Sequence, residues 1–164
     1  MKRFTRRHFI RNTGAIASGM LVSSSGISFS KTNQRSDQIV HEYRTLGKTG
    51  IKVTTVGYGA MRTTDGAVVE QALDLGINFV DTAYVYQGGN SERMVGNVLK
   101  KRRKEVILCT KIKPDSEKDM IRMFEESLKR LQTDYVDILY AHSLKKTDEL
   151  HDETIMNLFQ QFKR

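Results

Sequence analysis

Short apolar runs alternate with segments of helical periodicity along the chain from residue 42 onward. Two extended segments, 43–46 and 51–53, flank a turn bounded by glycines and predict a β-hairpin. Further apolar runs of strand length predict four buried strands, at residues 53–56, 77–80, 106–109 and 135–140. The body of the chain is therefore predicted as a hairpin followed by four strands that alternate with helices.

Helices are predicted where apolar side chains recur three or four positions apart. Asp65 begins a helix that Gly76 ends, Ser91 caps a second, and Asp115 or Ser116 caps a third. The third helix carries the clearest apolar stripe, which consists of Ile121, Phe124, Leu128 and Leu131. A fourth helix is predicted from apolar side chains at positions 155, 158, 159 and 162.

Strands that alternate with helices in this way imply right-handed crossovers and a parallel sheet, so the predicted fold class is α/β. The hairpin and about four β/α units fit two architectures. One is a small open sheet, and the other is half of a parallel (β/α) barrel of the TIM type. A complete barrel has about 250 residues, whereas this chain has 164. Periodicity does not choose between the two.

The first 30 residues differ from the rest and predict a removable targeting segment. Their basic start contains the pair Arg6 and Arg7, followed by Phe9 and Ile10, and it resembles the twin-arginine export motif. The stretch 15–29 is too rich in serine and glycine to span a bilayer as a helix. Residues 31–41 are a predicted linker. The expectation is export by the twin-arginine route to a periplasmic or other extracytoplasmic location, with no stable membrane span after removal of the leader; the alternative is a disordered basic tail.

The formal charge of +8 lies mostly in this leader. Seven of the 27 Lys and Arg residues fall within positions 1–35, which contain no acidic residue. The remaining 20 nearly balance the 19 acidic residues, so the body has no field that would attract nucleic acid. One basic cluster remains at 100–104, and it is interpreted as a solvated turn after a helix.

Ionisable side chains follow the predicted strands. Asp81 and Tyr86 follow the second strand, Lys111 the third and His142 the fourth, while Gly57–Met61 follows the first. The carboxyl ends of parallel strands lie at one edge of a sheet, where active sites of such folds are found. Each of these residues alone has an ordinary structural explanation, but their recurrence at consecutive strand ends predicts a site. The pattern contains no predicted metal site.

This set of side chains suits the protonation of an oxygen on which negative charge develops. A phenol has a pKa of about 10 and is a poor donor at neutral pH. A nearby ammonium favours the phenolate, and a carboxylate holds such an ammonium in place. A histidine donates a hydrogen bond to a bound carbonyl oxygen. Hydride delivery to the carbonyl carbon is the natural companion reaction.

Residues 77–92, with the sequence Ile-Asn-Phe-Val-Asp-Thr-Ala-Tyr-Val-Tyr-Gln-Gly-Gly-Asn-Ser-Glu, resemble a segment of the aldo-keto reductase family. The Cys-Thr-Lys of 109–111 and the segment 131–142, which ends in Ala-His, are similar to the third and fourth strand regions of that family. Residues 43–53 resemble its N-terminal hairpin. The resemblance covers residues 42–164 and implies the first half of a (β/α) barrel.

The resemblance implies roles for four side chains. Tyr86 would be the general acid, Lys111 and Asp81 would tune it, and His142 would orient the substrate carbonyl. The implied reaction is the reduction of small aldehydes or ketones.

The implied cofactor is NADP(H) or NAD(H). Gly59, Ala60 and Met61 occupy the loop that would approach its nicotinamide end. Gln87 replaces the glycine usual after the tyrosine, which is expected to alter loop shape more than chemistry.

The family's later strands, which grip most of the cofactor, have no counterpart here, and no glycine-rich phosphate motif replaces them. Much of the cofactor site is therefore expected to be absent from this chain. The sequence leaves three alternatives to an active reductase: an inactive fragment of a longer protein, a nucleotide-binding module without turnover, and an unrelated open-sheet domain. Open sheet edges also predict self-association, including completion of the barrel by a second chain.

Overall fold

The computed structural model describes residues 41–145 and 151–163. The predicted export leader, and the predicted linker up to residue 40, lie outside the described residues. Within those two ranges, no helix is long and apolar enough to cross a bilayer.

Six strands and four helices make up the described part of the chain. The strands are β1 (Tyr43–Thr45), β2 (Lys52–Thr54), β3 (Tyr58–Gly59), β4 (Phe79–Asp81), β5 (Ile107–Ile112) and β6 (Ile138–Ala141). The helices are α1 (Gly66–Asp74), α2 (Asn90–Leu99), α3 (Glu117–Leu131) and α4 (Glu153–Gln161). Short 3₁₀ turns at Tyr86–Gly89 and Arg103–Glu105 precede α2 and β5.

The predicted hairpin and parallel sheet are both present. Strands β1 and β2 pair antiparallel, and β3, β4, β5 and β6 form a parallel sheet in that order. Asp81 lies beside Cys109, and Lys111 lies beside Tyr140, in the register of neighbouring strands. Paired residues share a face of the sheet, and so do residues two apart in one strand, such as Cys109 and Lys111. The four side chains therefore lie on one face.

The first parallel strand is shorter and later than predicted. It consists of Tyr58 and Gly59, whereas Val53 and Thr54, which the sequence placed in that strand, belong to the hairpin. The reason is a set of side-chain contacts. Asn78 accepts a hydrogen bond from the Thr54 amide at 2.7 Å, and the Thr54 hydroxyl donates to the Val56 carbonyl at 2.8 Å. These bonds close a turn where a strand was expected.

Helix caps follow the sequence in two cases and differ in one. The side chains of Asp65 and Ser116 cap α1 and α3 by accepting backbone hydrogen bonds. Ser91, however, is not a cap, because α2 begins at Asn90. Its hydroxyl is buried within the first turn and donates to the carbonyl of Ala60 at 2.7 Å. A tertiary contact therefore takes the hydroxyl that a cap would have used.

Helix α3 packs closely on α2, and this contact changes which of its residues are buried. A Cβ at Gly96 of α2 would collide with the backbone of Arg130 and Leu131. The fully enclosed positions of α3 are Met120, Met123, Ser127 and Leu131. Of the predicted stripe only Leu131 is among them, while the other three members are half-buried. Phe124 instead contacts the ring of Phe162, which directly follows α4. The buried face of α3 therefore depends on two neighbours, α2 on one side and α4 on the other.

The basic cluster at 100–104 is only partly the solvated turn that was predicted. Its lysines are exposed, but its two arginines are built into the fold. Arg102 pairs with Asp74 at 2.6 Å. Arg103, whose side chain is 14% exposed, pairs with Asp137 at 2.8 Å and lies over the ring of Tyr135 at 3.9 Å. These contacts join α1, and the segment between α3 and β6, to the turn before β5.

Candidate active site

The four predicted site residues meet at the carboxyl edge of the sheet. Asp81 is the last residue of β4, Lys111 lies one residue before the end of β5, and His142 directly follows β6. Tyr86 begins the 3₁₀ turn between β4 and α2. Lys111 thus lies within its strand rather than after it, with its side chain on the face shared with Asp81.

The Lys111 ammonium is held by three oxygen atoms. Its Nζ lies 2.7 Å from Oδ1 and 2.6 Å from Oδ2 of Asp81, and 2.7 Å from the carbonyl oxygen of Thr82. An ammonium has three donors, and each has an acceptor here. The Lys111 side chain is 15% exposed and that of Asp81 28%, so the pair is only partly screened by solvent.

Tyr86 lies against this ammonium. The Nζ of Lys111 is 5.0 Å from the centroid of the Tyr86 ring, within the range of a cation–π contact. The ring of His142 packs edge-on against Tyr86, with 5.6 Å between centroids and an interplanar angle of 82°. The structure thus brings the phenol, ammonium and imidazole predicted from the sequence into one cluster.

His142 is held by its backbone and presents an unpaired ring nitrogen. Its amide donates to the carbonyl of Ile112 at 2.8 Å, which continues the β5–β6 pairing. Nδ1 is buried and has no hydrogen-bond partner among the residues that the structure describes. Burial, followed by the charges of Lys111 and Lys113, lowers the pKa of His142 below its usual value. The imidazole is therefore neutral at pH 7, with one nitrogen as donor and the other as acceptor.

The last residue of β3, Gly59, and the loop after it border the same cluster. Gly59 lies beside Asp81 in the sheet register, and a Cβ at Gly59 would meet no atom within 4 Å. Met61 is 48% exposed. Ala60 is fully buried, its amide donates to the Asp81 carbonyl at 2.8 Å, and its own carbonyl accepts from Ser91. Gly59 and Met61 thus have open surface, whereas Ala60 anchors the loop.

A buried ion pair beneath the Tyr86 turn was not predicted from the sequence. Glu92 is completely buried and accepts a hydrogen bond from the Thr110 hydroxyl at 2.7 Å. Arg130 of α3 lies 3.3 Å from Glu92 and also donates to the carbonyl of Tyr84 at 3.1 Å. The only local signal was an acid in the first turn of α2. Nothing in the sequence paired it with an arginine 38 positions away.

These groups can donate a proton, hold a positive charge and orient an oxygen. No group of three or more His, Cys, Asp or Glu side chains within residues 41–145 and 151–163 is placed to hold a metal ion. The ammonium held by Asp81, with the phenol and the imidazole packed around it, suits acid–base chemistry on a polar substrate atom.

Curated relatives are similar to this chain in sequence. The chain is 41% identical to L-galactose dehydrogenase of Arabidopsis thaliana, in a match that covers 70% of this chain and 42% of that protein. It is 35% identical to a probable voltage-gated potassium channel subunit beta of the same plant, with 62% and 37% covered. The chain thus spans about two fifths of the length of these relatives.

Solved structures share the fold. An aldo-keto reductase from Bacillus halodurans, in its holo form, superposes with a TM-score of 0.67 at 33% identity, over 76% of this chain and 47% of that one. An aldo/keto reductase from Klebsiella pneumoniae in complex with NADP and acetate gives 0.59 at 28% identity, over 70% and 44%. Residues 53–164 match the model of the aldo/keto reductase family. With its partial (β/α) barrel, the chain belongs to the aldo/keto reductase family.

Proposed function

We propose that this chain carries the proton-transfer residues of an NAD(P)H-dependent reductase of aldehydes or ketones. The observation that carries the proposal is the Lys111 ammonium, bound by both oxygens of Asp81 and placed against the Tyr86 ring. An ion pair with a purely structural role has no need of a tyrosine ring and an imidazole packed around it at a strand edge. Family membership supports the same reaction class.

Tyr86 would donate its hydroxyl proton to the carbonyl oxygen as that oxygen gains negative charge. The charge of Lys111 would stabilise the phenolate that remains. Asp81 would hold the ammonium in position, because both its oxygens already accept from Nζ. His142, neutral in this environment, would orient the carbonyl oxygen through a ring N–H.

The chemistry that the cofactor supplies when bound is a hydride for the carbonyl carbon. The residues present fit a nicotinamide group near the β3 loop. Space is open beside Gly59, next to Asp81, and the exposed side chain of Met61 borders it. Ala60 would contribute by fixing the backbone between them. NADP is bound in the similar Klebsiella pneumoniae enzyme, and the proposed cofactor here is NADP(H) or NAD(H).

The experiment is a fluorescence titration of the full chain with NADPH and then NADH, with size exclusion in parallel. Saturable binding followed by turnover of small carbonyls supports the reductase. Binding without turnover supports the nucleotide-binding module instead. An absence of binding would place the activity in a longer protein. The elution volume also tests the predicted self-association through the edge strands β3 and β6.

Tyr86→Phe tests the role of the proton donor. It is expected to reduce carbonyl turnover by at least about 100-fold, the usual contribution of a general acid, while NADPH binding is retained. Tyr84→Phe is the matched control, because its hydroxyl donates to Glu126 rather than facing the cluster. Full turnover by the Tyr86→Phe protein would contradict the assignment.

We also propose that the leader directs export by the twin-arginine route, on the basis of its motif. Replacing both Arg6 and Arg7 by lysine keeps the charge but removes the paired guanidinium groups. The expected result is that the protein disappears from the periplasmic fraction of an expressing bacterium. Unchanged export of this variant would argue against the route.

A further inference from the structure

Gln87 follows the proposed proton donor and has an unusual backbone conformation. Its φ of 52° and ψ of 36° place it in the left-handed region, where residues other than glycine and asparagine are uncommon. Gly88, which comes next, also lies in this region. A glutamine in this place needs a compensating contact, because glycine would adopt the same turn without strain.

The Gln87 side chain makes that contact with the loop after β3. Its Nε2 lies 2.7 Å from the carbonyl oxygen of Thr63 and 3.1 Å from that of Met61. A carboxamide has two N–H donors, and both have acceptors here. The two acceptors belong to a single segment, so the side chain holds the backbone on both sides of Arg62.

The same segment is held at its two ends by other bonds. Ala60 is tied to β4 through its amide and to Ser91 through its carbonyl. Asp65 is the cap of α1. Between these anchors, the Met61 side chain and Arg62 are exposed. Gln87 thus joins the middle of an exposed loop to the turn that begins at Tyr86.

We propose that Gln87 is a positioning residue that locks segment 61–63 to the Tyr86 turn. The loop that would face the nicotinamide and the proton donor Tyr86 then keep a constant separation. A bound carbonyl could then lie within reach of the nicotinamide and of the Tyr86 hydroxyl at the same time. This inference rests on the proposed function for its catalytic meaning. The lock itself is a property of the chain without any cofactor, and it extends the expectation from the sequence that Gln87 alters loop shape more than chemistry.

Limited trypsin digestion of the full chain tests the lock directly, because Arg62 lies at its centre. Gln87→Gly removes the carboxamide and relieves the left-handed strain. Gln87→Glu keeps the length but directs a carboxylate at two carbonyl oxygens. Both variants are expected to increase cleavage after Arg62 about tenfold, a change consistent with the net loss of two hydrogen bonds.

Two controls separate a local lock from general destabilisation. Cleavage after Lys48, in the exposed hairpin turn, should not change. The melting temperature of Gln87→Gly should stay close to that of the parent, because relief of the strain at φ 52° offsets most of the loss of the two hydrogen bonds. Unchanged cleavage after Arg62 in both variants would overturn the inference, as would a parallel rise at Lys48.

Cofactor binding then tests the consequence of the lock. The NADPH dissociation constant of Gln87→Gly is expected to rise about fivefold or more, because the loop must be ordered on binding. Faster cleavage after Arg62 with an unchanged dissociation constant would refute the positioning role. If the parent chain binds no NADPH, the proposed function fails by itself. The trypsin comparison then decides whether Gln87 locks the loop.

Discussion

Replacing Arg130 by methionine should lower the free energy of unfolding more than replacing an exposed arginine by methionine would. Arg130 lies 3.3 Å from Glu92, and their side chains are 16% and 0% exposed. Methionine retains an apolar stem of similar length, so most packing survives. What remains is a buried carboxylate whose nearest cation is gone.

The structure sets the size of the effect. At 3.3 Å and an effective dielectric constant of about 20, the attraction is about 5 kcal/mol. Removing one member of a buried pair costs about 3–5 kcal/mol in general. The Thr110 hydroxyl, at 2.7 Å, still donates to Glu92 and compensates part of the loss. The expected decrease in the free energy of unfolding is therefore near the lower limit, about 3 kcal/mol.

Urea unfolding followed by circular dichroism measures this decrease. With an m-value of about 1–3 kcal/mol per M, the midpoint should fall by about 1–3 M. Glu92→Gln alone should lower the free energy of unfolding by less, because Arg130 keeps its hydrogen bond to the Tyr84 carbonyl and its ion pair with Glu126. The double variant should be at least about 1.5 kcal/mol more stable than the sum of the single losses predicts. A loss below about 1 kcal/mol for Arg130→Met, or strict additivity, would refute the reasoning.

Three further predictions concern single side chains. Ser91→Ala leaves the buried Thr82 hydroxyl, which lies 2.8 Å from that of Ser91, and the Ala60 carbonyl without their shared partner. It should cost about 1–3 kcal/mol, seen as a lower melting temperature in calorimetry; an unchanged temperature would contradict it. Arg103→Lys keeps the charge next to Asp137 but loses the planar fork and should cost about 1–2 kcal/mol, whereas Arg103→Lys of parental stability would show that charge alone suffices. Folding lowers the pKa of His142 below its usual value of 6.5. At a pH somewhat below 6.5, the unfolded chain therefore binds a proton at His142 more readily than the folded chain does. The free energy of unfolding should therefore decrease as the pH falls below 6.5, and His142→Gln should reduce that decrease when urea midpoints are compared at pH 7 and 5.5; an equal decrease in both proteins would disprove it.

The sequence by itself determined the order of elements and the residues at the site edge. Apolar runs and helical periodicity depend on local spacing, so the hairpin and the parallel β/α alternation could be predicted without coordinates. Asp81, Lys111 and His142 could be placed together for the same reason, since parallel strands end at one edge.

Only the tertiary structure decided contacts between distant parts of the chain. The hydrogen bond between the Thr54 amide and the Asn78 side chain explains why the first parallel strand lies at Tyr58–Gly59 and not at the predicted residues 53–56. The Glu92–Arg130 pair and the Gln87 bonds to the loop after β3 likewise join segments far apart in sequence. Local patterns record how a residue suits a helix or a strand. They do not record which distant donor will reach a given acceptor, because that depends on how the packed elements bring the two together.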